Sequence, residues 1–259
     1  MKPPTDSLSR HVRPPKQDRS RVSFERVLDA AVGLFEEKGY DGFTLLEVSR
    51  RSRVSIGSIY CRVKSKDELI HAVQLHVRTM LEAEENQFID PVQWEGVELK
   101  SLVRFMIREL GEYMRRHAAI HRALMARSPL DPIITARGKV SLARFSDGFQ
   151  NVLLLHRSEI GHPKPKHAVH VCFSVPFACI QKYLGIGIMS DVSIGEGSWQ
   201  QLLDDLAILC ISFLQIKPTA SATSQKGAEA SLPTRQRRAA PPASKRVKLE
   251  AKATTKRIR

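Results

Sequence analysis

Between Arg50 and Lys66 the chain places six cations, Arg50, Arg51, Arg53, Arg62, Lys64 and Lys66, and no acid. Inside that run lies Ser55-Ile56-Gly57-Ser58-Ile59-Tyr60, small and hydroxyl-rich at its start. Cations flanking a run of hydroxyls suit ion pairing to phosphates on two strands, with hydrogen bonds to base edges between them. Gly57 points the same way. A glycine inside a helix costs about 0.8–1.0 kcal/mol against alanine, so close approach of a partner to the backbone explains it better than helix stability does.

Other constellations carry less. His117 and His121 lie four apart and His167 and His170 three apart, spacings at which two imidazoles can share a metal. No cysteine or carboxylate joins either pair at ligand spacing, so ordinary surface or partly buried histidines are expected, and no metal. No Ser/His/Asp ordering, paired-carboxylate motif or glycine-rich phosphate loop stands out. The chain is therefore read as a binding protein, not an enzyme, with no cofactor.

The elements that must position this run are helical nearly throughout, without sustained period-two alternation. Phe24, Val27, Leu28, Ala31, Leu34 and Phe35 mark a first helix from about Val22 to Lys38, and Gly39 supplies its left-handed stop. Thr44-x-x-Glu47 is a capping box, with Phe43 and Val48 in staple positions. This second helix has only about two turns before Ser55 offers a fresh cap. A third runs to about Arg62, and Ser65-x-x-Glu68 opens a fourth. Two short helices joined by a tight turn inside a three-helix unit place a second helix in the major groove of DNA. Further helices are expected over about 99–117, 118–127, 131–157, 165–189 and 198–216, the last two apolar on more than one face.

The 259 residues carry a net charge of +14, and the excess sits at the ends. Residues 217–259 hold twelve Lys/Arg against Glu229 and Glu250, whereas 25–216 are neutral with 23 basic and 23 acidic residues. The divisions read from this are a flexible basic arm at 1–19, a DNA-binding domain at 20–75, a helical body at 76–216 and a disordered basic tail at 217–259. Lys245-Arg246-Val247-Lys248 has the form of a nuclear address signal, but in so basic a tail it is read as part of a non-specific DNA contact. Cys61, Cys172, Cys179 and Cys210 show no CxxC pairing, which suits a reduced compartment. No secretory signal or membrane span is indicated, and the expected location is cytoplasmic, associated with the nucleoid.

The run from Phe24 through Tyr40, then Thr44, then Val54 through Tyr60, then Ser65-Lys66-Asp67-Glu68-Leu69, resembles the N-terminal domain of tetracycline-repressor (TetR) type regulators. The resemblance covers about residues 20–75. It implies an all-α fold: a three-helix helix-turn-helix domain followed by a C-terminal helical domain for ligand binding and dimerisation. It implies phosphate contacts at Thr44, Tyr60 and Lys66, and base contacts at Ser55, Ile56, Gly57 and Ser58. Two places depart from the family pattern. Arg53 stands where a turn glycine is usual, so either a non-glycine residue takes a left-handed conformation there or the turn differs. Cys61-Arg62-Val63 replaces an aromatic-histidine-phenylalanine run, and Arg62 is expected to replace a histidine phosphate contact with a permanent charge.

The resemblance further implies a small-molecule effector and a homodimer through the helices at 165–189 and 198–216, matching a palindromic operator. Met106, Tyr113, Met114, Leu124, Met125 and Phe145 are either the lining of an effector pocket or simply core. Function is read as transcriptional regulation, with repression as the prior. The alternative is a nucleoid-type architectural protein gripping DNA through its basic termini. Deleting 218–259 is expected to lower affinity for all duplexes and to flatten the slope of affinity against salt. Titrating duplex binding from low to high salt checks this, and an unchanged slope refutes it.

Overall fold

Short polar signals set where each helix begins. A computed structural model describes residues 16–187 and 198–217, with side chains from Ser20 onward. Residues 1–15 of the arm expected over 1–19 and 218–259 of the tail expected over 217–259 lie outside the described residues, as do 188 and 189 at the end of the expected eighth helix, whereas 16–19 of the arm are helical. The chain divides into Met1–Pro218 and Thr219–Arg259, and all that follows concerns the first unit.

Its helices are α1 (Lys16–Lys38), α2 (Leu45–Ser52), α3 (Ile56–Tyr60), α4 (Lys66–Ile89), α5 (Leu99–Arg116), α6 (Ala118–Arg127), α7 (Pro132–Leu154), α8 (Pro165–Tyr183) and α9 (Trp199–Leu214). Among the described residues there is no strand. The expected all-helical architecture is thus the observed one. Helix α1 begins earlier than the apolar period suggests, at Lys16, because its first turns carry charge. Helix α7 stops at Leu154 rather than Arg157, in a turn where Leu155, His156 and Arg157 each bond a carbonyl three residues back.

The capping box at Thr44 is complete: the Glu47 N–H donates to the Thr44 hydroxyl, and the Thr44 N–H donates to the Glu47 carboxylate at 2.8 Å. The cap at Ser65 differs from the expected box. Ser65 accepts from the Glu68 N–H, but the Glu68 carboxylate reaches the N–H of Lys64 at 2.7 Å. Asp131 caps α7 by accepting from the N–H groups of Ile133 and Ile134.

The first three helices close over Val27, Ala31, Phe35, Phe43, Val48, Ile59 and Val63, all buried, with Phe35 and Phe43 edge to face at 6.4 Å. In the body α5 packs on α9, α7 on α8, and α4 on both α1 and α7. Gly111 lets α5 approach α9, since a Cβ there would stand 2.5 Å from a methyl of Leu203. Pro176 lies inside α8 and has no N–H, so the Cys172 carbonyl loses its helical donor. The Cys210 thiol of α9 takes that place, and the Cys172 thiol donates to the Cys210 carbonyl, each across 3.7 Å. Together with burial, this holds the Cys172 thiol protonated, far above its ordinary range. Both cysteines are structural.

Asp131 also ties α7 to α4, because His71 bonds its other oxygen at 2.8 Å. Burial pushes the Asp131 carboxyl up, but the His71 and backbone bonds outweigh it, and the net shift is downward from 3.8. A carboxyl held lower in the fold contributes stability above pH 3.8 and loses it as pH falls further. Asp131→Ala is expected to cost about 1–2 kcal/mol at neutral pH, read as a lower urea midpoint with unchanged slope. A midpoint indistinguishable from that of the unmodified protein refutes this account.

Candidate nucleic-acid interface and a cavity in the body

Three helices form the candidate interface. Helix α3 is anchored by Ile59, which is fully buried, while Gly57, Ser58 and Tyr60 face out and Ile56 is half-buried. The Ser55 hydroxyl caps the helix by accepting from the Ser58 N–H, and the two serine hydroxyls bond each other at 2.8 Å. Ser55 therefore shapes the helix as well as facing outward. Gly57 has ordinary helical backbone, and a Cβ added there would meet nothing within 4 Å. Nothing inside the protein asks for a glycine at this position.

The turn before α3 resolves the alternatives left by Arg53. Arg53 itself takes the left-handed conformation, φ 55° and ψ 36°. Its N–H donates to the Arg50 carbonyl, the Val54 N–H donates to the Ser49 carbonyl at 3.2 Å, and the Ser49 hydroxyl donates to the Val54 carbonyl at 2.6 Å. Three bonds hold a residue with a Cβ where glycine would relax, a strain of roughly 1 kcal/mol.

The cations divide into two sets. Arg50, Arg53 and Lys64 are exposed, and their side chains have no partner among the described residues. The sequence run contained Arg50 and Lys64 without distinguishing them; only the pairing of their neighbours does. Arg51 pairs with Glu37 and Lys38 with Glu47. Arg62 and Lys66, expected at phosphates, have partners within the protein, Arg62 while remaining exposed and Lys66 half-buried. The Arg62 guanidinium sits 5.3 Å from the Phe24 ring and bonds the Ser20 hydroxyl. The Lys66 ammonium lies on the rings of Tyr40 and Phe43, at 4.6 and 4.4 Å, and donates to the Phe43 carbonyl at 2.5 Å. Burial lowers its pKa from 10.5. Thr44 spends its hydroxyl on the capping box. Cys61 is exposed as the last residue of the α3 turn.

In the body, α4, α5, α6, α7 and α8 line a cavity of about 390 Å³. Tyr113, Met114, Leu124, Met125 and Phe145 line it, as the pocket expectation had them. Met106 does not: it is fully buried in the body core, where the apolar stripe of α5 faces inward. The sequence missed Gln74, Arg78, Glu85 and His121, polar residues on otherwise apolar helix faces that also line the cavity. The Tyr113 hydroxyl donates to Glu85 at 2.7 Å, and Arg144 bonds the other Glu85 oxygen. Burial raises the Glu85 carboxyl. Of the paired histidines, His117 bonds Glu84 at 2.6 Å and His121 faces the cavity.

Residues 27–73 match the family model for bacterial regulatory proteins of the tetR family. The A-factor receptor protein of Streptomyces griseus is 30% identical over 88 residues, which is 34% of this chain and 29% of that protein. The chain thus matches less than a third of that relative's length. A Mesorhizobium loti protein described as a TetR-family transcriptional regulator superposes with a TM-score of 0.60 at 18% identity, covering 76% of this chain and 96% of that one. The Bacillus subtilis regulator FadR, in complex with stearoyl-CoA, does so with a TM-score of 0.53 at 15% identity over 73% and 98% of the two chains. Among the described residues no helix is long and apolar enough to cross a membrane. Residues 27–73 are thus similar to the tetR family of bacterial regulatory proteins, and the fold is the one that these solved structures share.

Proposed function

We propose that this protein is a ligand-responsive transcriptional repressor that binds a palindromic operator as a homodimer, in the cytoplasm and on the nucleoid. DNA reading is assigned to residues 20–75, and effector sensing with dimerisation to 76–216. The observation that carries the DNA assignment is Gly57: an outward-facing helical glycine with open space where its Cβ would be, set between exposed, unpartnered Arg50, Arg53 and Lys64. Ser55, Ile56, Gly57 and Ser58 are assigned to base edges, and Tyr60, Arg53, Arg50 and Lys64 to phosphates.

The effector reading rests on the cavity. An occupant would touch α4 through Gln74 and Arg78 and α6 through Leu124 and Met125. Both helices run to the helix-turn-helix, where Arg127 at the end of α6 bonds Asp67 in the first turn of α4 at 3.0 Å. A ligand that favours one setting of these helices alters the spacing of two reading helices, which must match half-sites roughly 34–36 Å apart. Ligand binding by FadR, a protein of the same fold, supports a small-molecule effector here.

Helices α8 and α9 keep Val175, Ile208 and Leu209 exposed although both are otherwise apolar, which supports their pairing with a second copy. Light scattering at micromolar concentration is expected to give twice the chain mass; a monomer alone overturns the dimer. For the DNA assignment, an operator would first be selected from genomic fragments with the purified protein. Gly57→Ala is then expected to raise fold stability by up to about 1 kcal/mol while weakening operator binding by about tenfold or more. Unchanged affinity in the stabilised variant overturns the assignment. Little discrimination between the selected site and random DNA points to an architectural protein instead.

A further inference from the structure

Three side chains lining the cavity each keep a buried polar atom without a partner in the protein: Gln74 Oε1, Arg78 Nη1 and His121 Nε2. A buried, unpaired polar atom is costly, so three on side chains that line one cavity mark a place where a bound molecule could complete them. Their chemistry constrains that molecule.

Gln74 is 8% exposed, and its amide nitrogen donates to the Ile134 carbonyl at 2.9 Å. That bond fixes the amide orientation, because the oxygen cannot face another carbonyl. What remains toward the cavity is an acceptor that needs a donor. Arg78 lies one turn further along α4, on the same face. Its Nε holds Glu82 at 2.7 Å and its Nη2 bonds the same oxygen, leaving Nη1 as a donor that needs an acceptor. Burial, helped by neighbouring His117, pulls the His121 imidazole down to about 4, so at neutral pH it is uncharged and offers a donor or an acceptor.

The charges around Gln74 are already balanced, and Lys139 is an exposed cation of the lining. Arg78 pairs with Glu82, and Arg144 pairs with Glu85, whose other oxygen takes the Tyr113 hydroxyl. A ligand carboxylate would satisfy Arg78 but has nothing to donate to Gln74, and it would add an unpaired negative charge beside Glu85. An ammonium fails in the opposite way, against Arg78. A hydroxyl does both tasks with one oxygen: it donates to Gln74 and accepts from Arg78. The rest of the wall is mainly apolar, with Leu124, Met125 and Phe145, and also carries Ser128, Thr135, Lys139, Ser141 and Gln181.

We propose that the cavity binds an uncharged, largely apolar molecule carrying a hydroxyl that donates to Gln74 Oε1 and accepts from Arg78 Nη1. This rests on the reading of the cavity as the effector site and names the chemical class of the effector. The full-length protein, without DNA, is tested against three probes of similar size: 1-octanol, methyl heptyl ether and octanoate at pH 8. Binding is measured by calorimetry and by the shift in thermal midpoint. Octanol is expected to bind about tenfold more tightly than the ether, which accepts but cannot donate, and more tightly than octanoate. Gln74→Leu is expected to abolish the octanol-to-ether preference while ether binding persists, which also shows that the variant is folded. Arg78→Lys, which keeps a cation for Glu82 but removes Nη1, is expected to weaken octanol and ether together.

Equal binding of octanol and ether, tighter binding of octanoate, binding of no probe, or an octanol preference that survives Gln74→Leu each overturns the assignment. Those results leave sequence-selective DNA binding, measured separately on the selected operator, untouched. Conversely, an octanol preference in a protein that selects no operator sustains the ligand class and overturns the regulator reading.

Discussion

The ring of Tyr40 is the point at which the helix-turn-helix and the cavity-bearing body are joined. The Arg127 guanidinium from α6 lies 3.8 Å from its centre, and the Lys66 ammonium from α4 lies 4.6 Å away. Its hydroxyl donates at 2.5 Å to Asp67, which also receives Arg127. The bond to Asp67 and partial burial raise the phenol's pKa, so it remains a donor. Each link alone is modest, about 0.5–2 kcal/mol for a cation over a ring. They share atoms, however, so α6 cannot shift without disturbing α1 and α4 together. That sharing makes the junction a coupling element rather than a set of surface ion pairs.

Helix α4 then carries the constraint inward. Along 24 residues it presents Asp67 to the junction, His71 to the cap of α7, and Gln74 and Arg78 to the cavity. The first turns of α7 are held to it three times: His71 to Asp131, Gln74 to the Ile134 carbonyl, and Arg137 to the His71 carbonyl at 3.0 Å. An occupant that draws on Gln74 therefore acts on the same amide that secures α7. Binding and helix position are linked through one side chain with two ends, a physical basis for a shift between states that contact the occupant differently.

Much of this was legible in the sequence because it rests on local rules. Caps at Thr44, Ser55, Asp131 and Ser198 announce helix starts by the hydrogen bonds their side chains make within three residues. The apolar period of α5 identified its buried face, and the family pattern drew attention to Arg53. What stayed hidden depends on non-local partners. Nothing near Lys66 in the sequence says that its amine will meet the Phe43 carbonyl, 23 positions away. Nor does spacing distinguish Arg51, matched with Glu37, from Arg50, left without a match. The cavity was half legible for the same reason. Apolar residues such as Phe145 look alike in a core and in a pocket, and the polar residues that mark a binding site, Gln74 and His121, look like surface residues until the fold encloses them.

The departures from local stability share a pattern. Gly57 gives up helix stability with no neighbour requiring it, Arg53 holds a left-handed backbone that glycine would hold without strain, and Gln74 and Arg78 enclose polar atoms that the protein leaves unmatched. Arg127, Arg144 and His156 also keep a buried nitrogen without a hydrogen-bond partner, but none of them lines the cavity. Gly57 and Arg53 lie four residues apart around the turn into α3, and Gln74 and Arg78 lie one turn apart on α4. Strain and unmet hydrogen bonds persist where surrounding structure enforces them and something outside the chain rewards them. In the proposed reading, the reward at Gly57 is closeness to a base edge, and at Gln74 it is a donor supplied by a ligand. The two proposed sites thus share one physical sign, a local deficit that a partner would remove.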